Sequence, residues 1–392
     1  MRILVLSSFY HPEKGAASHR ITSMCNELLE RGHEITVLTT LANYPKGIFF
    51  QGYRNRLFKS ENINKIKIIR FWFFPTNSNS LVLRFFSLLS SFIMALITLF
   101  NFMIKNKKID FALIQTPPLT TAFAYSIICK LFRLKYVLNV SDIWPSTAVD
   151  LGIMNKTQIS FKIFTKIELF IYKHSAAFLC QSNECLNYLK NKSKKKILLF
   201  RNLTKNNRAS SSSKIDGKVK IIYAGLLGNA QNILGFCKDI NWDNLNIQFH
   251  IYGDGLQKKD LQKLEHKNIY IHEAISKDDI QNKLKLFDFS LVPIRVNIFG
   301  AFPSKISAGI ASGVPILFIG EGEGYKVVKD LNIGESFKNN ELDKLQDFLK
   351  NYIENNKLYV SKYKKGIKLA LDREFNYKKN LDSLENFLKT IK

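Results

Sequence analysis

The sequence predicts an α/β chain of two Rossmann-like domains, each built on an open parallel sheet, facing across a cleft. Three observations predict it. Apolar runs rich in β-branched and aromatic residues alternate with helical stretches along most of the 392 residues. The runs are nearly continuous rather than alternately polar, as strands covered on both faces are. A polar, serine-rich stretch, "TKNNRASSSSKIDGK", divides the alternation into two series, and a chain of this length exceeds a single core of about 150 residues.

The first series of strands reads "RILVLSS", "EITVLTT", "IKIIRFWFF", "DFALIQT", "KYVLNVS", "AAFLCQS" and "KILLFRN"; the second reads "VKIIYAG", "IQFHIYG", "IYIHEA", "FSLVPI" and "PILFIG". From Glu341 the pattern is helical, with Gly366 its one glycine. The expected organisation is an N-terminal domain over 1–203 carrying a helical segment at 81–105, a linker over 204–217, a C-terminal domain over 218–372, and a final helix over 373–392 that packs back towards the N-terminal domain.

At 46% hydrophobic and 23% charged residues the composition supports a sizeable core and excludes wholesale disorder. A net charge of +26 attracts phosphates, nucleic acid or an anionic bilayer. Lys, Asn, Ile and Phe also recur in plainly structural segments, so a compositional origin for part of that charge stays open. Five cysteines, Cys25, Cys129, Cys180, Cys185 and Cys237, form an odd set without a C-x-x-C pair, which argues against a disulfide framework and a zinc site. The opening "MRILVLSSFY" reads as a buried strand rather than a secretory signal. A cytoplasmic setting is expected.

Phe85–Ile104, "FFSLLSSFIMALITLFNFMI", holds no charged residue, and Lys105, Lys107 and Lys108 follow it. Its length is close to that of a membrane span. Ser87, Ser91, Ala95, Thr98 and Asn101 nevertheless recur every three or four positions, drawing a small or polar stripe down one helical face. Three readings stand: a span, a buried core helix, and a helix whose small face packs on the domain while its apolar face, with Phe92 and Leu96, dips into one leaflet. A span between two strands of one sheet would divide the sheet.

Ligands of open α/β sheets bind outside the carboxyl ends of the strands. After the first strand, "SSFYHPEKGAASHR" places Gly15 before a helix, where backbone can approach a ligand, with His19 and Arg20 in the first turn; an ordinary strand–helix loop is the alternative. After the fifth predicted strand comes "SDIWPSTAVDLG". Asp142 there can orient or deprotonate an attacking hydroxyl, or cap a helix. In the second series "YAGLLGNAQN" carries Gly225, Gly228 and Gln231, and "IYGDGLQKKDL" carries Gly253 and Gly255. "AFPSKISAGIASGVPILFIG" follows, with Pro303 at the first helical position, free amides at Ser304 and Lys305, and the Lys305 charge beside them. Together these turns suggest one phosphate- and nucleoside-binding edge. G-x-x-x-x-G-K-[ST], G-x-S-x-G, H-E-x-x-H and D-x-D are all absent from the sequence, which removes support for triphosphate hydrolysis, serine-type hydrolysis and metal-dependent sugar transfer.

This order of motifs resembles the GT-B fold of retaining, nucleotide-sugar-dependent family 4 glycosyltransferases. "HPEKGAASHRI" with "ELLERGHEITVLTT" is similar to that family's opening, "YAG" and "YGDG" to its donor-domain turns, and "DFSLVPI" with "PSKISAGIASGVPI" to its donor signature, so the resemblance covers essentially the whole chain. "SDIWP" with "PSK" and "ASGVP" is more particularly similar to the O-antigen and capsule branch that includes fucosaminyltransferase-like proteins. The resemblance implies an acceptor-binding first domain, a donor-binding second domain, and a diphosphate held near Ser304 and Lys305. Two departures stand out. Leu226 and Gln231 occupy places where relatives often carry Arg and Lys, and Gly300 and Ala308 occupy the places of two family glutamates. A dead donor site is one consequence; reading of the ribose and sugar by Asn297, Ser307 or backbone is the other.

The expected function is therefore transfer of a hexosyl residue from a nucleoside diphosphate sugar to a lipid-linked saccharide acceptor, peripherally on the inner face of an anionic membrane. It needs no metal and no cofactor beyond that substrate. A nucleotide-sugar 2-epimerase and a catalytically silent subunit of a transferase complex are the alternatives. Nucleic acid is not an expected partner, since no recognised module accompanies the charge.

Overall fold

A computed structural model describes residues 1–13, 15–78, 80–106, 108–205 and 218–391. Most of the expected linker, 206–217, and Lys107 lie outside the described residues. The chain divides into two compact units. The first comprises Met1–Arg201, Phe299–Ala301 and Leu381–Lys392; the second comprises Asn202–Ile298 and Phe302–Asn380.

In the first unit the strands are β1 (Arg2–Leu6), β2 (Glu34–Thr40), β3 (Phe58–Ile63), β4 (Ile66–Phe71), β5 (Phe111–Thr116), β6 (Tyr136–Val140), β7 (Ala177–Cys180) and β8 (Ile197–Leu199). Between them lie α1 (Ala16–Glu30), α2 (Leu81–Lys105), α3 (Leu119–Leu131), α4 (Ser146–Asp150), α5 (Ile159–His174) and α6 (Asn183–Lys192). Among the described residues they form one sheet in the order β3-β4-β2-β1-β5-β6-β7-β8. Every pairing is parallel except β3 with β4. Every residue of β5 and β6 is buried, which is why those runs are apolar apart from Gln115 and Thr116 in β5 and Asn139 in β6.

The second unit contains β9 (Val219–Leu226), β10 (Ile247–Asp254), β11 (Ile269–His272), β12 (Phe289–Pro293), β13 (Ile316–Ile319) and β14 (Gly334–Phe337). Its helices are α7 (Ile233–Asp239), α8 (Lys258–Gln262), α9 (Lys277–Leu284), α10 (Ser304–Ser312), α11 (Glu323–Asp330) and α12 (Leu342–Asp372), and α13 (Tyr377–Lys389) closes the chain. The sheet order is β11-β10-β9-β12-β13-β14, all parallel. In both sheets the chain winds outward one way and then restarts on the other side, so strand order reverses between β1 and β5 and between β9 and β12. Such reversal points open a crevice at the carboxyl ends of the strands.

Two strands escape the sequence reading. Both β3, "FKSENI", and β14, "GESF", are edge strands, and neither carries the continuous apolar signal of a doubly covered strand. From Leu381 onward α13 belongs to the first unit, where Arg31 donates to Asp382 and Glu385 at 2.8 Å each.

Helix α2 buries Ser91, Ala95, Thr98, Leu99, Phe102 and Met103. The stripe expected from the sequence holds at its centre and fails at its end: Asn101 is exposed, because a 3.6-residue period turns position 102, not 101, towards the domain. Phe92 and Leu96 also depart from expectation. They pack against the core, with Phe92 stacked on Phe123 at 5.8 Å between ring centroids. The outward stripe is instead Val82, Phe86, Leu89, Ile93, Ile97, Phe100 and Ile104, all exposed. By length and composition α2 could cross a membrane.

Candidate active site

In the second unit the carboxyl ends of β9 and β12 bring Lys305 and Gly225 together. Lys305 is the second residue of α10, and Pro303 is its N-cap residue rather than its first helical residue, so the helix starts one position later than expected. Pro303 O accepts from Ile306 N, while among the described residues the amides of Ser304 and Lys305 have no backbone acceptor, as at any helix start. The Lys305 side chain runs back to the end of β9, its ammonium 5.2 Å from the centroid of the Tyr223 ring. Tyr223 is buried and donates its hydroxyl to Leu226 O at 2.6 Å. Burial lowers the Lys305 pKa to about 8, so the amine is held in a place that disfavours its charge unless an anion arrives.

The glycines of this edge have intramolecular reasons. Gly225 lies at φ +153°, and a Cβ there would come within 2.8 Å of both Cε and Nζ of Lys305. A Cβ on Gly253 would meet Gly225 O at 2.1 Å, and one on Gly255 would meet Leu227 O at 2.6 Å, so the two turns lock against each other. Gly228 has only ordinary contact, its nearest neighbour being Gln231 Oε1, and that oxygen is buried without a partner among the described residues. Ser307 is buried, with its hydroxyl likewise unpartnered among the described residues, whereas Asn297 is exposed beside Gly322. Sequence reasoning missed Arg295. It is exposed just beyond β12, and its amide donates to Ala230 O at 3.0 Å, which sets it against the loop that carries Gln231.

No protein-family model and no curated protein matches the sequence. Among solved structures the chain is similar to sucrose-phosphate synthase from Thermosynechococcus elongatus, with a TM-score of 0.77 at 11% identity, covering 100% of this chain and 99% of that one. It is also similar to Anabaena HepE in complex with UDP, at 0.69 and 13% with 100% of each chain covered. A third is WaaG, a glycosyltransferase involved in lipopolysaccharide biosynthesis, at 0.63 and 12%, covering 94% of this chain and 95% of that one. The chain has the GT-B fold.

Within the first GT-B unit, a polar cluster occupies the carboxyl ends of β1, β6 and β7. Arg20 lies in the second turn of α1, not the first, and donates to Gln181 Oε1 at 2.7 Å and to Ser141 Oγ at 2.6 Å. Behind it Gln115 donates to Ser141 Oγ, and Asn139 donates to Gln115 Oε1 at 2.7 Å. Asp142 follows Ser141 and is partly exposed. Burial raises its pKa, and Arg20 opposes that rise; burial lowers Arg20 to about 10, opposed by Asp142. Trp144 N donates to the Asp142 backbone carbonyl, so the aspartate closes a tight turn.

Two further residues singled out in the sequence have close neighbours. The Tyr44 ring lies 2.7 Å from where a Cβ on Gly15 would stand. Arg20 is bound to Ser141 and Gln181 of the first unit. Gly300, at the place of a family glutamate, also belongs to the first unit: its carbonyl accepts from Ser182 Oγ at 2.6 Å and its amide donates to Glu184 at 3.0 Å. With φ +84° and Ile143 Cδ1 2.7 Å from a would-be Cβ, a glutamate does not fit there without displacing Ile143.

Proposed function

We propose that the chain is a retaining glycosyltransferase of the fucosaminyltransferase-like branch. It moves a hexosyl residue, deoxy and N-acetylated sugars included, from a nucleoside diphosphate sugar to a lipid-linked saccharide in O-antigen or capsule synthesis. The observation that carries the reading is Lys305, drawn over Tyr223 to the end of β9 beside the amide-bearing start of α10. As the bond from the anomeric carbon to the diphosphate breaks, negative charge grows on the departing phosphate. A lysine ammonium and two helix-start amides are suited to stabilise it. The acceptor hydroxyl attacks the same face of the sugar, and Asp142, whose burial makes its carboxylate a better proton acceptor, orients that hydroxyl. No step needs a metal. The likeness to HepE, solved with UDP-glucose, and to WaaG supports this reading of the fold.

The acceptor side is read from α2, α3 and α5, which pack side by side. Their outward apolar residues are accompanied by Arg84, Lys105, Lys130, Lys162, Lys166 and Lys173, against a single acid, Glu168, which is buried. Apolar area with a basic rim suits an anionic inner leaflet, where each lysine near the surface adds about 1 kcal/mol, and supports a peripheral position on the cytoplasmic side.

Titrating UDP, GDP and their hexose conjugates into the protein and into Lys305→Ala tests the reading. Lysine-dependent binding with transfer to a lipid acceptor supports it. Acceptor-free turnover in the absence of membrane would instead identify a 2-epimerase, and lysine-dependent binding without any turnover a silent subunit.

A further inference from the structure

The polar cluster of the first unit has donors to spare. Because Gln181 Oε1 accepts from Arg20, the orientation of that amide is fixed and Nε2 is a donor beside the guanidinium. Gln181 is 5% exposed, and among the described residues neither its Nε2 nor Arg20 Nε has a partner. Buried donors normally find an acceptor, and two left open around one guanidinium mark a place where a ligand supplies it. Asp142 lies near enough for each charge to act on the other, yet no direct ion pair joins it to Arg20 among the described residues.

Arg20 and Asp142 bring opposite charges to this place, and a second guanidinium, that of Arg201, donates to the Gln181 backbone carbonyl at 3.2 Å. A phosphate gains from Arg20 and loses to Asp142, whereas a pair of neighbouring hydroxyls, each both donor and acceptor, satisfies the open N–H groups and the carboxylate together. We propose that Arg20, Gln181 and Asp142 form a subsite for a neutral saccharide, the terminal sugar of the acceptor, with the reacting hydroxyl on Asp142 and its neighbour on Arg20 Nε and Gln181 Nε2. This rests on the transferase reading and sharpens it: the acceptor is recognised through uncharged sugar hydroxyls rather than through its phosphates. Arg20 and Gln181 then act as specificity residues, not as donor ligands.

Saturation-transfer NMR on the full chain, with the methyl glycosides of glucose, galactose, mannose and N-acetylglucosamine as probes and inorganic phosphate followed by its own resonance, tests the proposal. At least one glycoside receives saturation, and Arg20→Gln and Asp142→Asn each reduce the signal fivefold or more. Gln181→Glu keeps the acceptor for Arg20 but removes the spare donor; it too lowers the glycoside signal, and it serves if Arg20→Gln does not fold. A glycoside signal unchanged in these variants overturns the subsite, as does Arg20-dependent broadening of phosphate without any glycoside signal. Calorimetric titration of UDP and GDP into the same samples separates the two levels: nucleotide binding without variant-sensitive glycoside contact sinks the subsite alone, while loss of nucleotide binding sinks the transferase reading.

Discussion

Replacing Gly225 by alanine perturbs the proposed donor site through a side chain it does not itself carry. The new Cβ would stand 2.8 Å from Cε and Nζ of Lys305, at a backbone φ of +153°. The conformation alone costs about 1–3 kcal/mol of stability for a residue other than glycine. Because the obstructed atoms are the free end of a flexible chain, the alanine is accommodated by displacing the ammonium rather than β9. A displaced ammonium loses one charge-assisted hydrogen bond to the diphosphate, about 1.5–3 kcal/mol, hence a roughly ten- to hundredfold fall in kcat/KM for the donor. The assay is a double-mutant cycle of wild type, Gly225→Ala, Lys305→Ala and the double variant, read by thermal unfolding and by donor kcat/KM. The stability cost of Gly225→Ala should be the same in both backgrounds, while its activity cost should vanish once Lys305 is gone. An equal activity loss in the Lys305→Ala background, or no loss in the wild type, would refute the claim that Gly225 acts by clearing the path of Lys305.

Other predictions test the rest of the structure. With Lys305 titrating at about 8, donor kcat/KM should fall about tenfold per pH unit above that value, and Lys305→Arg should move the limb upward; a limb unmoved by arginine assigns it to another group. His250 bonds His272 at 3.0 Å, and burial first, then His272, Lys220 and Lys283, lower its pKa to about 4. The unfolded chain therefore takes up this proton more readily. Stability should be full above pH 6.5 and decline as pH falls towards 4, and His250→Phe should flatten that decline in urea midpoints at pH 4.5 and 7.5. Bonds from Lys389 and Arg31 hold Glu385 at about 2, so its contribution is present above pH 4.5 and is lost as pH falls towards 2. At neutral pH Arg31→Ala should speed hydrogen exchange at Leu384 and Leu388 roughly two- to tenfold, and unchanged exchange would show that apolar contacts alone hold α13. Phe86→Asp with Ile97→Asp should abolish flotation on anionic liposomes at unchanged Tm, whereas Phe92→Asp should lower Tm; flotation surviving the first pair removes α2 as the anchor.

What the sequence disclosed depended on how strongly burial constrains each position. Strands covered on both faces, such as β5 and β6, announce themselves because every residue must be compatible with a core, while β3 and β14 lie at edges and are free to be polar. Among the candidate site residues, Asp142, Lys305 and the turn glycines could be singled out because carboxylate, ammonium and glycine are unusual choices at strand ends. Gln181 and Ser141 were not, since polar residues after a strand are ordinary. A weak signal did exist: Gln115 and Asn139 each interrupt an apolar strand with one amide, and buried amides must bond to something. The intramolecular neighbours of the glycines were not legible, for a physical cause. A missing Cβ looks the same in sequence whether the space serves a ligand or the protein's own Tyr44 or Lys305.

The central claim, sugar transfer from a nucleoside diphosphate sugar at Lys305, is tested most directly by identifying a product. Chelator-treated protein is incubated with a panel of nucleoside diphosphate hexoses and liposomes carrying saccharide-linked lipid diphosphates, and the lipid fraction is weighed by mass spectrometry. The account predicts a lipid product heavier by one hexosyl residue, formed without added metal and reduced at least tenfold in Lys305→Ala. A product formed at the parent rate by Lys305→Ala, or one that requires Mg²⁺ or Mn²⁺, would contradict it.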